Sequence, residues 1–249
     1  MSHPSKGFRL GIIQCDEVRS ELKDVYGDYD QMIINAIRRT NPEIIGITYR
    51  VFDGKLPYSV DDCDGWIATG SRYSVNDNNS WTRRLENFVR DIFEASRPLV
   101  GICYGMQMIA RALGGTVQLA ASGWGIGVKT SQIHRREQWI DNALGDAVNL
   151  LVSHKEQVTS LPRNGFCIAS SDTCLNSIIR VGSSMVGFQG HPEFSYEYAR
   201  AMMDLRRDVI PAQTMKAGLD SLQIMVDNDG VFRSISQFLY TTCSKLRHT

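Results

Sequence analysis

The stretch Leu99–Gln107 reads LVGICYGMQ and contains two different patterns in direct succession. Its first part, Leu99–Cys103, is an apolar run whose length and composition predict a buried β-strand. Its second part opens a short amphipathic segment, Met106–Leu113, which is predicted to be a helix that ends at Gly114-Gly115. A buried strand that runs directly into a helix is typical of α/β domains.

The junction itself, Gly101-Ile102-Cys103-Tyr104-Gly105, has the spacing of a nucleophile elbow. Glycines two residues before and after the cysteine allow the strand and the helix to approach the turn without clashes of Cβ atoms. The N-terminus of the following helix favours the thiolate form of a cysteine placed there. The alternative interpretation is a chance spacing around an ordinary core cysteine.

On the N-terminal side, apolar runs alternate with amphipathic stretches, a pattern that predicts an α/β fold with a largely parallel sheet. The predicted strands are Leu10–Gln14, Ile44–Tyr49 and Trp66–Thr69, and the predicted helices are Tyr29–Arg39 and Ser80–Glu94. Each helix has its apolar residues at helical spacing, which predicts one face packed on the sheet.

On the C-terminal side, short β-like runs are separated by glycine, asparagine and aspartate turns. These runs are Ile126–Lys129, Asn149–Val152, Phe166–Ala169, Ser177–Val181 and Met185–Phe188. Two further helices are predicted at Tyr196–Val209 and Val231–Lys245. Without an evident repeat or linker, residues 1–249 are expected to form one domain.

The candidate base lies in Phe188-Gln189-Gly190-His191-Pro192-Glu193, directly after an apolar run. A cysteine nucleophile needs a nearby imidazole to take its proton at neutral pH. That imidazole is best oriented by a carboxylate on its other nitrogen. We therefore expect His191 to act on Cys103 and Glu193 to orient His191.

Composition excludes several classes of protein. Lys plus Arg and Asp plus Glu both total 27, so no net field attracts nucleic acid or an anionic membrane. The six cysteines form no CxxC pair, and no apolar run approaches a membrane span. The polar Met1–Lys6 does not begin a secretion signal, so the expected compartment is the cytoplasm.

Taken together, GICYGMQ and the downstream HPE resemble the class I (triad) glutamine amidotransferases. Three further stretches resemble the same family: WIATGSRYS (66–74), SHKEQV (153–158) and GWGIG (123–127). The last resembles the small stand-alone members, among them GMP-synthase-like amidotransferases and plant γ-glutamyl peptidases. The resemblance implies a three-layer α/β/α (flavodoxin-like) fold with a mixed, mostly parallel sheet. A core of about residues 8–195 would be followed by a helical extension, 196–249.

The resemblance also implies a role for each matching residue. Cys103 would be the nucleophile, His191 the general base and acid, and Glu193 the orienting carboxylate. The N–H of Tyr104 and one from the Gly70-Ser71 loop, most directly that of Ser71, would form the oxyanion hole. The residues implied to bind the substrate's amino-acid end are Gln107, Ser153 and His154. Outside the resemblance, His154 is expected to be a solvent-exposed strand end.

One position departs from the pattern. Many relatives have proline after the oxyanion-loop glycine and serine, whereas this chain has Arg72. This departure bears on the conformation of the loop and therefore on the second oxyanion donor.

The implied reaction is hydrolysis of the γ-amide of glutamine through a cysteine thioester, without a metal or organic cofactor. The chain has no P-loop and no GxGxxG, so the ammonia would pass to a separate synthetase subunit. The alternative is a stand-alone γ-glutamyl peptidase that acts on glutathione-like peptides. A non-catalytic regulatory subunit is the remaining interpretation.

Overall fold

A computed structural model describes residues 7–246 of the protein, and the Met1–Lys6 segment lies outside these described residues. The strands are β1 (Arg9–Gln14), β2 (Ile45–Arg50), β3 (Gly65–Ala68), β4 (Leu99–Ile102), β5 (Thr116–Leu119), β6 (Gly125–Ile133), β7 (Ala147–His154), β8 (Glu156–Ser160), β9 (Gly165–Ser171), β10 (Cys174–Val181) and β11 (Met185–Phe188). The helices are α1 (Ser20–Tyr26), α2 (Tyr29–Thr40), α3 (Ser80–Glu94), α4 (Tyr104–Ala112), α5 (Tyr196–Asp204), α6 (Ala212–Asp220) and α7 (Asn228–Leu246).

Within residues 7–246, nine strands form one sheet in the order β2-β1-β3-β4-β11-β10-β9-β6-β7. The first five strands in this order are parallel to their neighbours. From β10 onwards the neighbours are antiparallel. The predicted mixed, mostly parallel sheet is confirmed. The strands β5 and β8 pair separately as a small antiparallel sheet.

Side chains alternate between the two faces of the sheet, as the period of a strand requires. Leu10 and Ile12 belong to a core cluster that contains the buried residues of α2 and α7. Ile13 and Trp66 belong to the opposite cluster, which contains those of α3 and α4. Helices therefore cover both faces, which confirms the predicted three-layer α/β/α fold.

Several elements differ from the sequence prediction. The helix α4 begins at Tyr104 rather than Met106, and β4 ends one residue before Cys103, so the cysteine alone makes the turn. The helix predicted to reach Val209 ends at Asp204, because the chain then forms turns in which Leu205 and Val209 are exposed. The elements α1, α6, β5 and β8 were not predicted; β5 and β8 each bury a single valine, which gives no periodic signal.

None of the helices between residues 7 and 246 is both long and apolar enough to cross a lipid bilayer.

Candidate functional site

Cys103 occupies the turn between β4 and α4 in a strained conformation. Its φ is 51° and its ψ is −101°, values that a residue with a Cβ atom rarely adopts. A Cβ atom at Gly101 would lie 2.4 Å from the carbonyl carbon of Gly105, and one at Gly105 would lie 2.4 Å from the carbonyl oxygen of Ala68. The two glycines of the motif are therefore needed for packing around the turn.

His191 and Glu193 reach the same region from β11, which is parallel to β4. The imidazole Nδ1 lies 2.7 Å from Glu193 Oε1, and both side chains are buried. The ring of Phe194 stacks on the imidazole with 4.0 Å between centroids. The backbone N–H of His191 donates to the carbonyl of Leu151 at 2.7 Å. Three contacts therefore fix the imidazole: the stacking on Phe194, the backbone hydrogen bond to Leu151 and the bond to the Glu193 carboxylate.

The electrostatic environment favours a charged imidazole. Burial alone would lower the pKa of His191, but the charges of Glu193 and Cys103, together with hydrogen bonding to both, raise it from 6.5 to about 10. The side-chain amide of Gln189 donates to Cys103 Sγ at 3.4 Å, so a second polar side chain contacts the sulfur. The arrangement suits a thiolate paired with an imidazolium.

The Gly70-Ser71 loop lies against this pair. A Cβ atom at Gly70 would be 2.7 Å from His191 Cε1, so only glycine permits the approach. Ser71 lines the same cleft as Cys103, and its N–H donates to no other group among residues 7–246. The N–H of Tyr104 is the first of α4 and has no partner within the helix. Both N–H groups are available as oxyanion donors.

Asp16 explains how the loop keeps its conformation without proline. This buried carboxylate accepts the Arg72 backbone N–H at 2.8 Å and the Arg72 Nε at 3.1 Å. A charge-assisted pair of this kind is stronger than a neutral one. Arg72 is therefore held to the end of β1, and Ser71 precedes it directly.

An open cleft of about 430 Å³ extends from Cys103 towards solvent. The three residues predicted to bind substrate, Gln107, Ser153 and His154, all line it. Gln107 donates its amide to the carbonyl of Glu156 at 2.8 Å. His154 is buried, not exposed as residue type alone predicted, and burial lowers its pKa from 6.5 to about 4. It is therefore neutral at physiological pH.

Sequence reasoning missed several polar residues of the site. Gln189 adjoins the HPE motif and is buried. In the sequence, a polar residue at the end of a strand is only a weak sign that it belongs to a site. Glu156 lines the cleft and accepts a hydrogen bond from Ser74 Oγ at 2.7 Å. Arg19 and Arg206 line the cleft from segments without any motif.

None of the other cysteines among residues 7–246 lines this cleft. Burial raises the pKa of the Cys15, Cys63 and Cys174 thiols, and Cys167 is half-buried. In the part of the chain from 7 to 246, no three His, Cys, Asp or Glu side chains are grouped to hold a metal ion.

Comparison with known proteins gives relatives along most of the chain. A glutamine amidotransferase-like protein of Schizosaccharomyces pombe is 26% identical over 93% of this chain and 98% of its own. The γ-glutamyl peptidase 3 of Arabidopsis thaliana is 25% identical over 80% of this chain and 81% of its own. A glutamine-hydrolysing GMP synthase of Porphyromonas gingivalis is 27% identical over 83% of this chain but only 40% of its own.

Among solved structures, a glutamine amidotransferase from Methylobacillus flagellatus has a TM-score of 0.73 and 22% identity, and the match covers 96% of this chain and 94% of that one. This likeness shows the fold. The family model of the class-I glutamine amidotransferases matches residues 21–205, which include the elbow and the HPE motif. The chain belongs to the class-I glutamine amidotransferase family.

Proposed function

We propose that the protein hydrolyses the γ-amide bond of glutamine or of a γ-glutamyl compound through a thioester on Cys103. The thiolate attacks the γ-carbonyl carbon, and a carbon–sulfur bond forms. N–H groups of Tyr104 and Ser71 bind the oxyanion, each donor being worth about 3 kcal/mol in the transition state. His191 gives its proton to the departing nitrogen as the carbon–nitrogen bond breaks.

The second half of the reaction uses the same residues. His191, now neutral, takes a proton from water, and the water oxygen bonds to the thioester carbon. The carbon–sulfur bond breaks, the thiolate returns and glutamate leaves. Glu193 holds the imidazole in the tautomer and orientation that both halves require.

One observation supports this proposal above all others. Glu193, His191 and Cys103 form a continuous buried series in which the carboxylate binds Nδ1 at 2.7 Å and the imidazole interacts with the thiol. Cys103 lines an open cleft, so a substrate amide has access to the sulfur.

Two substrates fit this chemistry. Glutamine as substrate would yield ammonia, and a separate synthetase subunit would have to use it, since the chain covers only 40% of the similar GMP synthase. A γ-glutamyl peptide as substrate needs no such partner. Similarity to the γ-glutamyl peptidase 3 of Arabidopsis over about four-fifths of both chains favours this second candidate.

We further propose that residues 1–249 act as one glutamine amidotransferase domain. The cysteines of residues 7–246 form no disulfide, which suits a reducing compartment such as the cytoplasm.

The experiment compares the hydrolysis of two substrates by the isolated chain. Ammonia release from glutamine and cleavage of a γ-glutamyl-cysteinyl peptide are measured side by side, with the Cys103→Ala protein as the blank. We expect hydrolysis of at least one substrate by the wild type and none above background by the variant. Absence of hydrolysis of both by a folded wild-type protein would overturn the proposal.

A further inference from the structure

Phe194 directly follows the HPE motif, and its ring covers one face of the His191 imidazole. The centroids of the two rings are 4.0 Å apart, and their planes differ by 10°. Both residues are buried, with exposed fractions of 3% for Phe194 and 4% for His191. This face of the imidazole is therefore in contact with an aromatic ring instead of solvent.

Two tyrosines hold the ring of Phe194 in this position. The centroid of Tyr198 lies 4.7 Å from that of Phe194, with 71° between the planes, and the centroid of Tyr29 lies 6.3 Å from it. The Tyr198 hydroxyl donates to the Tyr29 hydroxyl at 3.2 Å. Each tyrosine lies in the first turn of a helix whose N-cap side chain accepts its backbone N–H. The place of the Phe194 ring is therefore fixed by α5 and α2.

The anionic partners of the imidazole approach its edge and leave its faces uncovered. Glu193 Oε1 lies 2.7 Å from Nδ1, and Cys103 also hydrogen-bonds to the imidazole. Hydrogen bonds to the ring nitrogens lie in the plane of the ring. Glu193 Oε2 is buried and accepts no hydrogen bond from residues 7–246, so this carboxylate depends on a charged imidazole for its stabilisation.

Other titratable or charged side chains near Cys103 and His191 are His154, Glu156, Tyr198, Arg206 and the Asp16–Arg72 pair. Burial lowers the pKa of His154 to about 4 and raises that of Tyr198 to about 12, so both are neutral at physiological pH. Asp16 and Arg72 neutralise one another, and the cation of Arg206 disfavours a second positive charge. The charge of the imidazole therefore depends on the two groups in its plane and on the ring at its face.

An aromatic ring can stabilise a cation at its face. The face of the ring carries partial negative charge, and a cation within about 6 Å of the centroid is attracted to it. The attraction is strongest when the cation has lost its water, as the buried His191 has. In the proposed reaction His191 keeps a proton until the departing nitrogen takes it, so a stabilised imidazolium also maintains its ion pair with the thiolate.

We propose that Phe194 is a positioning residue that stabilises the His191 imidazolium through the face of its ring, while Tyr29 and Tyr198 hold that ring in place. This inference rests on the proposed roles of Cys103 and His191. It adds an aromatic support to the hydrogen-bonded series of Glu193, His191 and Cys103.

The test replaces Phe194 by fluorinated phenylalanines, introduced at this one position by nonsense suppression. Fluorine atoms withdraw electron density from the face of the ring and change its size little. The His191 imidazole is titrated by NMR of protein labelled in the histidine ring nitrogens, and its signal among the five histidines is assigned from the His191→Gln protein. We expect the midpoint to fall with each added fluorine, by about one pH unit for trifluorophenylalanine, which corresponds to a desolvated contact between a cation and an aromatic ring.

Phe88 is the matched control, because it is buried and packs perpendicular to Trp66 in the opposite core cluster. Trifluorophenylalanine at this position should leave the His191 midpoint unchanged. Phe194→Leu should lower the midpoint by about one pH unit, since it removes the aromatic face. Phe194→Tyr keeps that face and should retain most of the wild-type midpoint.

The outcomes separate an electrostatic role of the ring from simple packing. An equal midpoint with phenylalanine and with trifluorophenylalanine at 194 overturns the proposal, even if Phe194→Leu is slower or less stable. The fluorinated series keeps the test decisive if Phe194→Leu does not fold. In the hydrolysis assay, the alkaline limb of the kcat/KM profile should move with the NMR midpoint. If the wild type hydrolyses no substrate, the proposed function fails, and the NMR titration still decides the role of Phe194.

Discussion

The two walls of the candidate site are built in different ways. The catalytic wall, which we define as Cys103, Gln189, His191 and Glu193, is buried and follows two adjacent parallel strands, β4 and β11. The rim, which we define as Arg19, Lys155, Glu156 and Arg206, is half-buried or exposed. Polar groups of the catalytic wall bind one another, whereas none of the four rim charges has an ion-pair partner among residues 7–246.

This difference separates reactivity from selectivity. A buried, mutually bonded set of groups is preorganised, which is what stabilisation of a transition state requires. Unpaired charges on accessible segments can select among substrates without disturbing the reacting atoms. Substitutions in the catalytic wall should therefore lower kcat, and those in the rim should change the preference among substrates.

The largest effect is expected from the two reacting groups. Cys103→Ala and His191→Ala should each lower turnover by about 10⁴-fold or more, because neither the nucleophile nor the proton carrier has a substitute. Steady-state hydrolysis of the better substrate measures the loss. Cys167→Ala is the control, since this half-buried thiol is not part of the site. Turnover that survives either alanine change would contradict the assigned roles.

A smaller effect is expected from the orienting carboxylate. Glu193→Gln keeps the shape but removes the charge that holds the imidazolium, so kcat should fall by about 10²-fold. The loss should exceed that of Glu197→Gln, an exposed carboxylate in the first turn of α5. If both variants retain the same kcat, Glu193 does not orient the base.

The oxyanion loop should respond more weakly still. Asp16→Asn removes the charge that holds Arg72, which lets the Ser71 N–H move and lowers kcat by about tenfold while KM changes little. The exposed Asp24→Asn in α1 is the control. A changed KM with unchanged kcat would show that Asp16 acts on binding instead.

The smallest effect concerns stability and pH. The folded-state pKa of His191 is raised from 6.5 to about 10, so its contribution to stability is fully present below pH 6.5 and is lost as the pH rises towards 10. Urea unfolding of the wild type and His191→Gln at pH 6, 8 and 10 should show a shrinking difference. We expect a change of at least about 1 kcal/mol, near the value of one pKa unit. A difference independent of pH would contradict the raised pKa.

The same contrast explains what the sequence could predict. The elbow around Cys103 and the HPE segment are local patterns whose spacing is imposed by backbone packing, and β11 was predicted at its observed bounds. The apolar run Leu10–Gln14 likewise predicted β1, in which these five residues are all buried. These local patterns are sufficient to predict the fold and most of the catalytic wall.

The rim could not be predicted in this way. Arg19 and Arg206 are far apart in the chain, and each resembles any surface arginine until the fold brings both to one cleft.

Other features outside the rim were also missed. The helix α6 buries little beyond Met215 and Gly218, so its sequence has no strong apolar periodicity. The hydrogen bond from Arg72 to Asp16, which holds the oxyanion loop in the absence of proline, could not be predicted from sequence either, because the two residues come from different loops.

In the proposed mechanism, one sulfur among the six thiols of the chain is activated by an imidazole from far along the sequence. A diazo-ketone analogue of glutamine, followed by mass spectrometry of the digested protein, tests it most directly. We expect one adduct per chain, on Cys103, formed much more slowly in His191→Ala. Adducts spread over the other cysteines, or a Cys103 adduct that forms equally fast without the His191 imidazole, would contradict it.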